Sequence, residues 1–242
     1  MPDRMSVWAM LIGMIDRPGA ALANVVVYPR WRWILPLVLM VVALAGSLVL
    51  TAPLLTVQAR QVLAEQMARL PADQAAAIQA QMGRLQQPEV VIGTSFGSSM
   101  IATLIGWLIQ AMLLYFGVLI AGGELEFKRL FAVVPWLSLP FIIELIVQAA
   151  FAHSQGHLIV NQGLSYLVSV GKPLEDARNL TYVALSQLTL FRLWHWVLVY
   201  ALLRKAARLS SGTALFLTGV YAVLGVGGRL ALAALGSALS PG

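Results

Sequence analysis

Four ionisable side chains lie inside long apolar stretches of this sequence. They are Glu144, Arg192, His195 and Arg229. If these stretches cross a bilayer, a charged side chain near its centre costs about 2.5 to 3.5 kcal/mol unless it finds a partner or water. Side chains of these types can form ion pairs, relay protons or line a pathway for a solute or ion. We therefore treat them as a candidate intramembrane polar cluster.

The composition requires an apolar solvent around much of the chain. Of the 242 residues, 60% are hydrophobic and 11% are charged, against roughly a quarter charged in an ordinary soluble domain. A soluble fold could not bury so much apolar surface, whereas helices of about 20 apolar residues match the hydrocarbon core of a bilayer. The sequence predicts an all-α polytopic membrane helical bundle. Its five predicted spans are 34–55, 96–121, 131–151, 184–203 and 213–235.

The distribution of basic residues predicts the orientation. The net charge of +6 does not indicate nucleic-acid binding, because the bases flank apolar segments and no soluble basic domain is left over. Beside the predicted spans, nine Lys and Arg residues fall on the side of the N-terminus and five on the other side. The positive-inside rule then places the N-terminus in the cytoplasm and the C-terminus outside. The composition, rich in arginine and alanine, favours a bacterial inner membrane.

The depths of the cluster residues in their spans can be compared from the helical rise. Glu144 lies about 20 Å into the third span, Arg192 about 17 Å before the end of the fourth, and Arg229 about 24 Å into the fifth. These distances are all measured from the cytoplasmic side. We predict that Glu144 pairs with Arg192, with Arg229 nearby and His195 one turn away on the face of Arg192. Such a cluster either fixes helix register, which we favour, or serves transport or ligand binding.

Other residues that could carry chemistry fit structural roles better. His153 and His157 have the spacing of a shared metal site, but Gly156 lies between them and no carboxylate follows at metalloprotease spacing. The serines at 95–99 have no base placed to activate them, and the chain contains no cysteine. We predict no catalytic residue, no metal and no cofactor. Small residues spaced four apart indicate close helix packing, as at Ala102 and Gly106 and at Gly227 and Ala231.

The remaining segments are predicted to lie at the membrane surface. Residues 1–33 form a cytoplasmic interfacial amphipathic segment, and the polar stretch 58–87 predicts a helical hairpin outside, with Pro71 near its turn. Residues 157–170 are too few to span, so they lie at the interface or re-enter. Residues 237–242 form a short tail. The predicted interface anchors are Trp8, Trp31, Arg32 and Trp33.

Residues 122–140, GGELEFKRLFAVVPWLSLP, interrupt the apolar sequence with a charged turn. The glycine pair ends the second span, and the charged residues then turn the chain at the cytoplasmic face. The two prolines that follow each remove a backbone donor. We predict a broken helix there, with neighbouring helices, Ser138 or water satisfying the freed carbonyls. The residues of this turn and break are Gly122, Gly123, Glu124, Phe127, Lys128, Arg129, Pro135 and Pro140.

This stretch resembles the segment between the second and third spans of the Yip family of five-span membrane proteins. The Phe127-Lys128-Arg129 step and the proline-containing span recur there. The sequence IDRPGAALANV at 15–25 and the tryptophan-rich entry that follows are similar to bacterial members. The resemblance covers most of residues 10–236 and implies a five-span domain, at 34–236, with a cytoplasmic N-terminus. The Asp-Leu-Tyr-Gly-Pro stretch of eukaryotic members, which act with Rab-type GTPases in vesicle traffic, is missing here.

We therefore predict a non-enzymatic scaffold or accessory subunit that binds other membrane proteins in the lipid bilayer. The resemblance implies transporters of the ABC class as one group of partners. The alternative is a carrier or channel for a small solute or ion that uses the four-residue cluster. A solvated cavity that reaches Glu144 would favour the carrier, and a dry, internally satisfied cluster would favour the scaffold. The oligomeric state stays open.

The predicted orientation can be tested with fusions after Gly242. We expect alkaline phosphatase to be active there and green fluorescent protein to stay dark, because the C-terminus should lie outside the cytoplasm. The opposite pair of results would show that the topology is inverted or that the number of spans is even.

Overall fold

The computed structural model describes residues 5–67 and 87–239, and every regular element in these ranges is helical. The predicted all-α architecture is confirmed. The α-helices are α1 Val7–Asp16, α2 Pro18–Val27, α3 Ile34–Met67, α4 Pro88–Ile120, α5 Phe127–Leu137, α6 Leu139–Gln155, α7 Pro173–Arg178, α8 Leu180–Ser186, α9 Leu190–Lys205 and α10 Ser211–Leu239. Short 3-10 helices lie at Trp31–Trp33 and Ser165–Leu167.

Within the described ranges, four stretches are long and apolar enough to cross a membrane. They are Trp31–Gln58, Glu89–Ile120, Phe127–Gln155 and Ser211–Gly236. Helices of this length satisfy their own backbone hydrogen bonds in lipid. The chain is therefore an integral membrane protein, built as a helical membrane bundle.

The predicted fourth span, 184–203, differs from the helix in the structure. Helix α8 ends at Ser186, and α9 begins only at Leu190. Thr189 is the reason, since its extended backbone and its hydroxyl, which accepts from the Arg192 N–H at 3.1 Å, form an N-cap that starts a new helix. The 16 residues of α9 extend about 24 Å, so this helix is shorter than a typical span.

The N-terminal helices pack under the bundle on their apolar faces. Met10, Met14 and Leu22 are fully buried, and α2 contacts both α9 and α5. Trp8 and Trp31 remain outside, with 75% and 77% of their surfaces exposed, and Trp33 is 39% exposed. One face of α1 and α2 therefore lies against protein, while Trp8, Ile12 and Ile15 form an apolar face that stays exposed.

Arg32 is buried, unlike the interface anchor that its position beside two tryptophans predicts. Its guanidinium donates to the main-chain oxygens of Asn24 and Met5, each at 3.0 Å, and also to the side-chain oxygen of Asn24. It lies 5.2 Å from the ring centre of Tyr28. The Arg32 carbonyl accepts from Trp136 Nε1 at 3.1 Å. Arg32 thus joins α1 and α2 to α5, because its planar fork can bridge several carbonyls at once.

Three of the predicted surface segments can be compared with the structure as far as the described residues extend. In the predicted hairpin 58–87, residues 58–67 continue α3, and 68–86 lie outside the described residues. Residues 157–170 contain one short 3-10 helix and lie against α8, with the Leu164 N–H donating to the Leu185 carbonyl at 3.1 Å. The predicted tail begins inside α10, which continues to Leu239.

The Asp176 carboxylate fixes the end of the segment 157–170. Asp176 accepts from the Val170 N–H at 2.9 Å and from the Ser169 hydroxyl at 2.7 Å. The Val170 N–H in particular holds the pKa of this carboxyl below its usual range, because the bond favours the charged form. Any stability that this carboxylate contributes is therefore present above its unfolded pKa and is lost as the pH falls through its folded pKa.

The substitution Arg32→Lys tests how the N-terminal helices are held. We expect it to lower the free energy of unfolding in detergent by about 1 to 3 kcal/mol, because lysine keeps the charge but cannot bridge Asn24 and Met5. Arg30→Lys, at an exposed arginine two residues away, is the matched control. Equal stability of the two variants would rule out this role for Arg32.

Candidate functional site

The third membrane stretch is two helices with a break between them. Helix α5 ends at Leu137 and α6 begins at Leu139, with Ser138 as the joint. Pro140 lies in the first turn of α6, where its missing N–H costs no helical bond. The chain resumes regular bonding when Ile142 N–H donates to the Ser138 carbonyl at 3.1 Å. The break leaves the Leu137 carbonyl in a position where another helix can reach it.

His195 on α9 occupies that position. Its Nδ1 lies 2.7 Å from the Leu137 carbonyl oxygen, and the side chain is almost fully buried. Because a carbonyl can only accept, Nδ1 carries the proton and Nε2 is left as the acceptor of a neutral ring. The Tyr221 hydroxyl on α10 lies 2.9 Å from Nε2 and donates to it, and Gln110 Nε2 on α4 lies 3.5 Å away. We call these three side chains and the Leu137 carbonyl the His195 network.

A second bond crosses the same break. Trp107 Nε1 on α4 donates to Ser138 Oγ at 2.7 Å, and both residues are buried. Trp107, Gln110 and Tyr221 were missed by sequence reasoning that looked for ionisable groups. A search for uncharged hydrogen-bonding side chains in the spans would have included Gln110, the single amide in the apolar run WLIQAMLLYF.

Glu144 does not form the predicted ion pair with Arg192. Among the described residues the ion pairs within 4 Å are Asp16–Arg17, Glu126–Arg129 and Lys172–Glu175. The Glu144 carboxylate instead lies beside the Thr189 hydroxyl, and Gln148 Nε2 lies 3.5 Å from it. Since Thr189 also caps α9, the carboxylate sits at the N-terminus of that helix, whose dipole favours a negative charge. Arg192 and Arg229 are within electrostatic range of Glu144.

Arg192 and Arg229 share a cleft among the spans. The cleft has a volume of about 470 Å³, and its walls include Arg192, His195, Arg229, Gln110 and Tyr221. Arg192 lies 5.4 Å from the ring centre of Phe141, and its Nε is buried with no hydrogen-bond partner among the described residues. We call this cavity the Arg192 cleft. It brings together three of the four predicted cluster residues, and Glu144 is not among the residues that line it.

The predicted turn at 122–129 follows directly on the end of α4. The Gly123 N–H donates to the Val118 carbonyl at 2.9 Å and the Gly122 N–H to the Leu119 carbonyl at 3.0 Å, with Gly122 in the left-handed region at φ 72°. This is a Schellman-type helix end, which favours glycine at that position. A Cβ on Gly123 would lie 2.8 Å from the Val118 side chain.

The turn forms one wall of a large groove on the side of the N-terminal helices. The groove has a volume of about 1090 Å³, and the loop between α9 and α10 forms the opposite wall. We call it the turn groove. Phe127 stacks on Phe131 outside its lining, and Lys128 is exposed. The charged residues that line the groove are Glu124, Glu126, Arg129, Lys205 and Arg208.

His153 and His157 do not share a helical face. Gly156, in the left-handed region at φ 73°, ends α6 between them, and both imidazoles are exposed. In the described part of the chain, no group of three or more acidic or histidine side chains could hold a metal ion.

The His195 network can be tested with a double-mutant cycle. We expect Tyr221→Phe to destabilise the protein by about 1 kcal/mol, because His195 Nε2 loses its best donor. The same change should have little further effect in a His195→Leu background, giving a coupling of about 0.5 to 1.5 kcal/mol, measured by unfolding in mixed micelles. Tyr200→Phe is the control, since this hydroxyl has no hydrogen-bond partner among the described residues. Fully additive effects would contradict the network.

Comparison with known proteins places the chain in a family. No curated protein and no solved structure matches the chain. A family model described as the Yip1 domain matches residues 12–234, which is most of the sequence and includes the broken span, the His195 network and both cavities. The chain is therefore a member of the Yip1 domain family of membrane proteins.

Proposed function

We propose that this protein is a non-enzymatic scaffold or accessory subunit of the bacterial inner membrane that binds another membrane protein through the turn groove. Transporters of the ABC class are one group of candidate partners. In the proposed orientation the groove faces the cytoplasm. Its walls carry exposed acids and bases, which suits a polar contact with a folded partner.

The conformation of Arg208 is the observation that carries this proposal. The Leu209 N–H donates to the Leu203 carbonyl at 3.1 Å, and Arg208 lies in the left-handed region, φ 57°, in the turn that follows α9. Glycine is the usual residue there, and a side chain costs roughly 1 kcal/mol. The Arg208 side chain is exposed and has no hydrogen bond or ion pair among the described residues to offset that cost. A strained, exposed cation on a groove supports a binding role.

The candidate nucleophiles support a non-enzymatic role. The Thr94 hydroxyl donates to the Val90 carbonyl at 2.6 Å, and the Ser98 hydroxyl to the Ser95 carbonyl at 3.2 Å. Each is used by its own helix, as is common for such residues in membrane spans. Both nitrogens of His195 are engaged in its network, so this ring is not available as a base.

The carrier remains the second candidate, because charged and polar side chains of the spans line the Arg192 cleft. Its lining includes two arginines, as a pathway for an anion would require. Against this role, the His195 network and the bond from Trp107 to Ser138 tie the helices together at one end of the cleft. A passage through the protein would have to break these buried bonds.

The proposal is tested with Arg208→Gly in native membranes. We expect the variant to be more stable by about 1 kcal/mol, since glycine relieves the left-handed strain. A membrane protein that is recovered stoichiometrically with the tagged wild type after gentle solubilisation should be reduced at least fivefold with the variant. Arg17→Gln, an exposed arginine on the same side but outside the groove lining, is the control and should retain the partner.

Two outcomes would overturn the scaffold. One is equal recovery of the partner with wild type and Arg208→Gly, which would exclude the turn groove as the contact. The other is recovery of the protein alone, together with solute flux in liposomes that Arg192→Gln abolishes, which would establish the carrier.

A further inference from the structure

The Arg192 cleft contains more positive charge than the protein balances. Neither guanidinium, of Arg192 or of Arg229, has a hydrogen bond or an ion pair within 4 Å among the described residues. The two are also close enough to repel each other. Glu144 is the carboxylate within electrostatic range, and it lies beside the Thr189 hydroxyl. Two arginines and one carboxylate leave a net charge of about +1 around the cleft at neutral pH.

A bound anion would remove this imbalance. The Nε of Arg192 is a buried donor without a partner among the described residues, while Arg229 is exposed, and unpaired donors are unfavourable in a medium of low dielectric constant. The planar fork of arginine matches an oxyanion such as phosphate, which can accept from several N–H groups at once. The cleft is also lined by the Gln110 amide on α4, which has a second N–H besides the one that faces His195.

The cleft opens sideways between α4 and α10. Helix α10 is the least covered span, with 6% of its apolar window buried, compared with 61% for the third stretch. Gly106 on α4 and Gly225 on α10 line the cleft, both are exposed, and a Cβ on either would meet nothing within 4 Å among the described residues. This opening faces the hydrocarbon of the bilayer, and apolar side chains, among them Ile109 and Leu113, line it.

The depth of the arginines suits a lipid headgroup. Arg192 lies about 20 Å along α9 from Lys205, and Arg229 about 24 Å along α10 from Thr213. In a hydrocarbon core of about 30 Å, both lie in the half away from the N-terminal helices. Long arginine side chains extend toward the interface, so their guanidinium groups can reach the level of lipid phosphates.

We propose that the Arg192 cleft binds the phosphate group of an anionic membrane lipid, which enters between α4 and α10. The guanidinium groups of Arg192 and Arg229 contact the phosphate, and an acyl chain lies along the glycine-lined opening. An amphiphile fits better than a free ion because the cleft is charged at one end and open to hydrocarbon along its side. This site is separate from the turn groove, so it does not depend on partner binding.

The test uses the purified full chain in a neutral detergent. Dioleoyl phosphatidylglycerol, dioleoyl phosphatidylcholine and inorganic phosphate are titrated separately, with the midpoint of thermal unfolding and the number of lipids retained in native mass spectrometry as readouts. We expect phosphatidylglycerol to raise the midpoint by several degrees and to remain bound at about one per chain. Phosphatidylcholine and inorganic phosphate should have much smaller effects.

Two variants and a control assign the effect to the cleft. Arg192→Gln should weaken the apparent affinity for phosphatidylglycerol at least tenfold. Gly225→Leu should do the same by filling the opening, while leucine favours the helix and leaves both arginines in place. Gly225→Leu therefore tests lipid binding at the cleft even if Arg192→Gln does not fold. Arg178→Gln, an exposed arginine outside the cleft lining, should behave as wild type.

The proposal fails if phosphatidylglycerol has no effect on the wild type, or if its effect is unchanged in both cleft variants. Equal stabilisation by inorganic phosphate, lost in Arg192→Gln, would keep the oxyanion chemistry and overturn a lipid as its source.

Discussion

The structure depends on satisfying one carbonyl group inside a membrane. Two prolines divide the third stretch at Ser138, and in hydrocarbon a backbone group that its own helix does not pair costs several kcal/mol. The Leu137 carbonyl is paired by His195, and His195 in turn requires donors from Tyr221 and Gln110. One local break thereby fixes the relative positions of α4, α9 and α10. The helices around the break cannot slide without leaving a buried polar group unpaired.

This constraint distinguishes two kinds of polar residue that look alike in the sequence, a hydrogen-bonded architectural residue and a cation left unpaired by the described chain. His195 is a neutral, fully used hydrogen-bonding group and serves the architecture. Arg192 is three residues away on the same helix, yet its guanidinium has no hydrogen-bond partner among the described residues. Glu144 is stabilised at the start of α9 through Thr189 and does not neutralise Arg192 by direct contact. The unbalanced charge is therefore confined to the cleft, beside the rigid network.

Much of the fold could be predicted because bilayer physics acts on local sequence. The apolar runs predicted the helical membrane architecture. The order of short motifs along the chain, including those at 122–140, predicted the family, and the match to residues 12–234 confirms it. The contacts of the site could not be predicted. Depth along a span gives the height of Glu144 and Arg192 but not the direction in which each points, and Thr189 was hidden inside an apolar stretch. Arg32 was misjudged because burial against Asn24 depends on how α2 folds back.

The exposure of α10 indicates that this protein needs a neighbour in the membrane. Helix α10 carries Arg229, yet the rest of the described chain covers little of it. Helices α5 and α6, in contrast, form the centre of the bundle. A span with a charge and so few protein neighbours needs lipid or protein beside it, since hydrocarbon alone cannot solvate a guanidinium. The turn groove, with strained Arg208, lies at the other end of α9 from Arg192, since Lys205 in its lining is about 20 Å along that helix. The turn groove and the Arg192 cleft share no lining residue, so the proposed partner and the proposed lipid would not compete for the same surface.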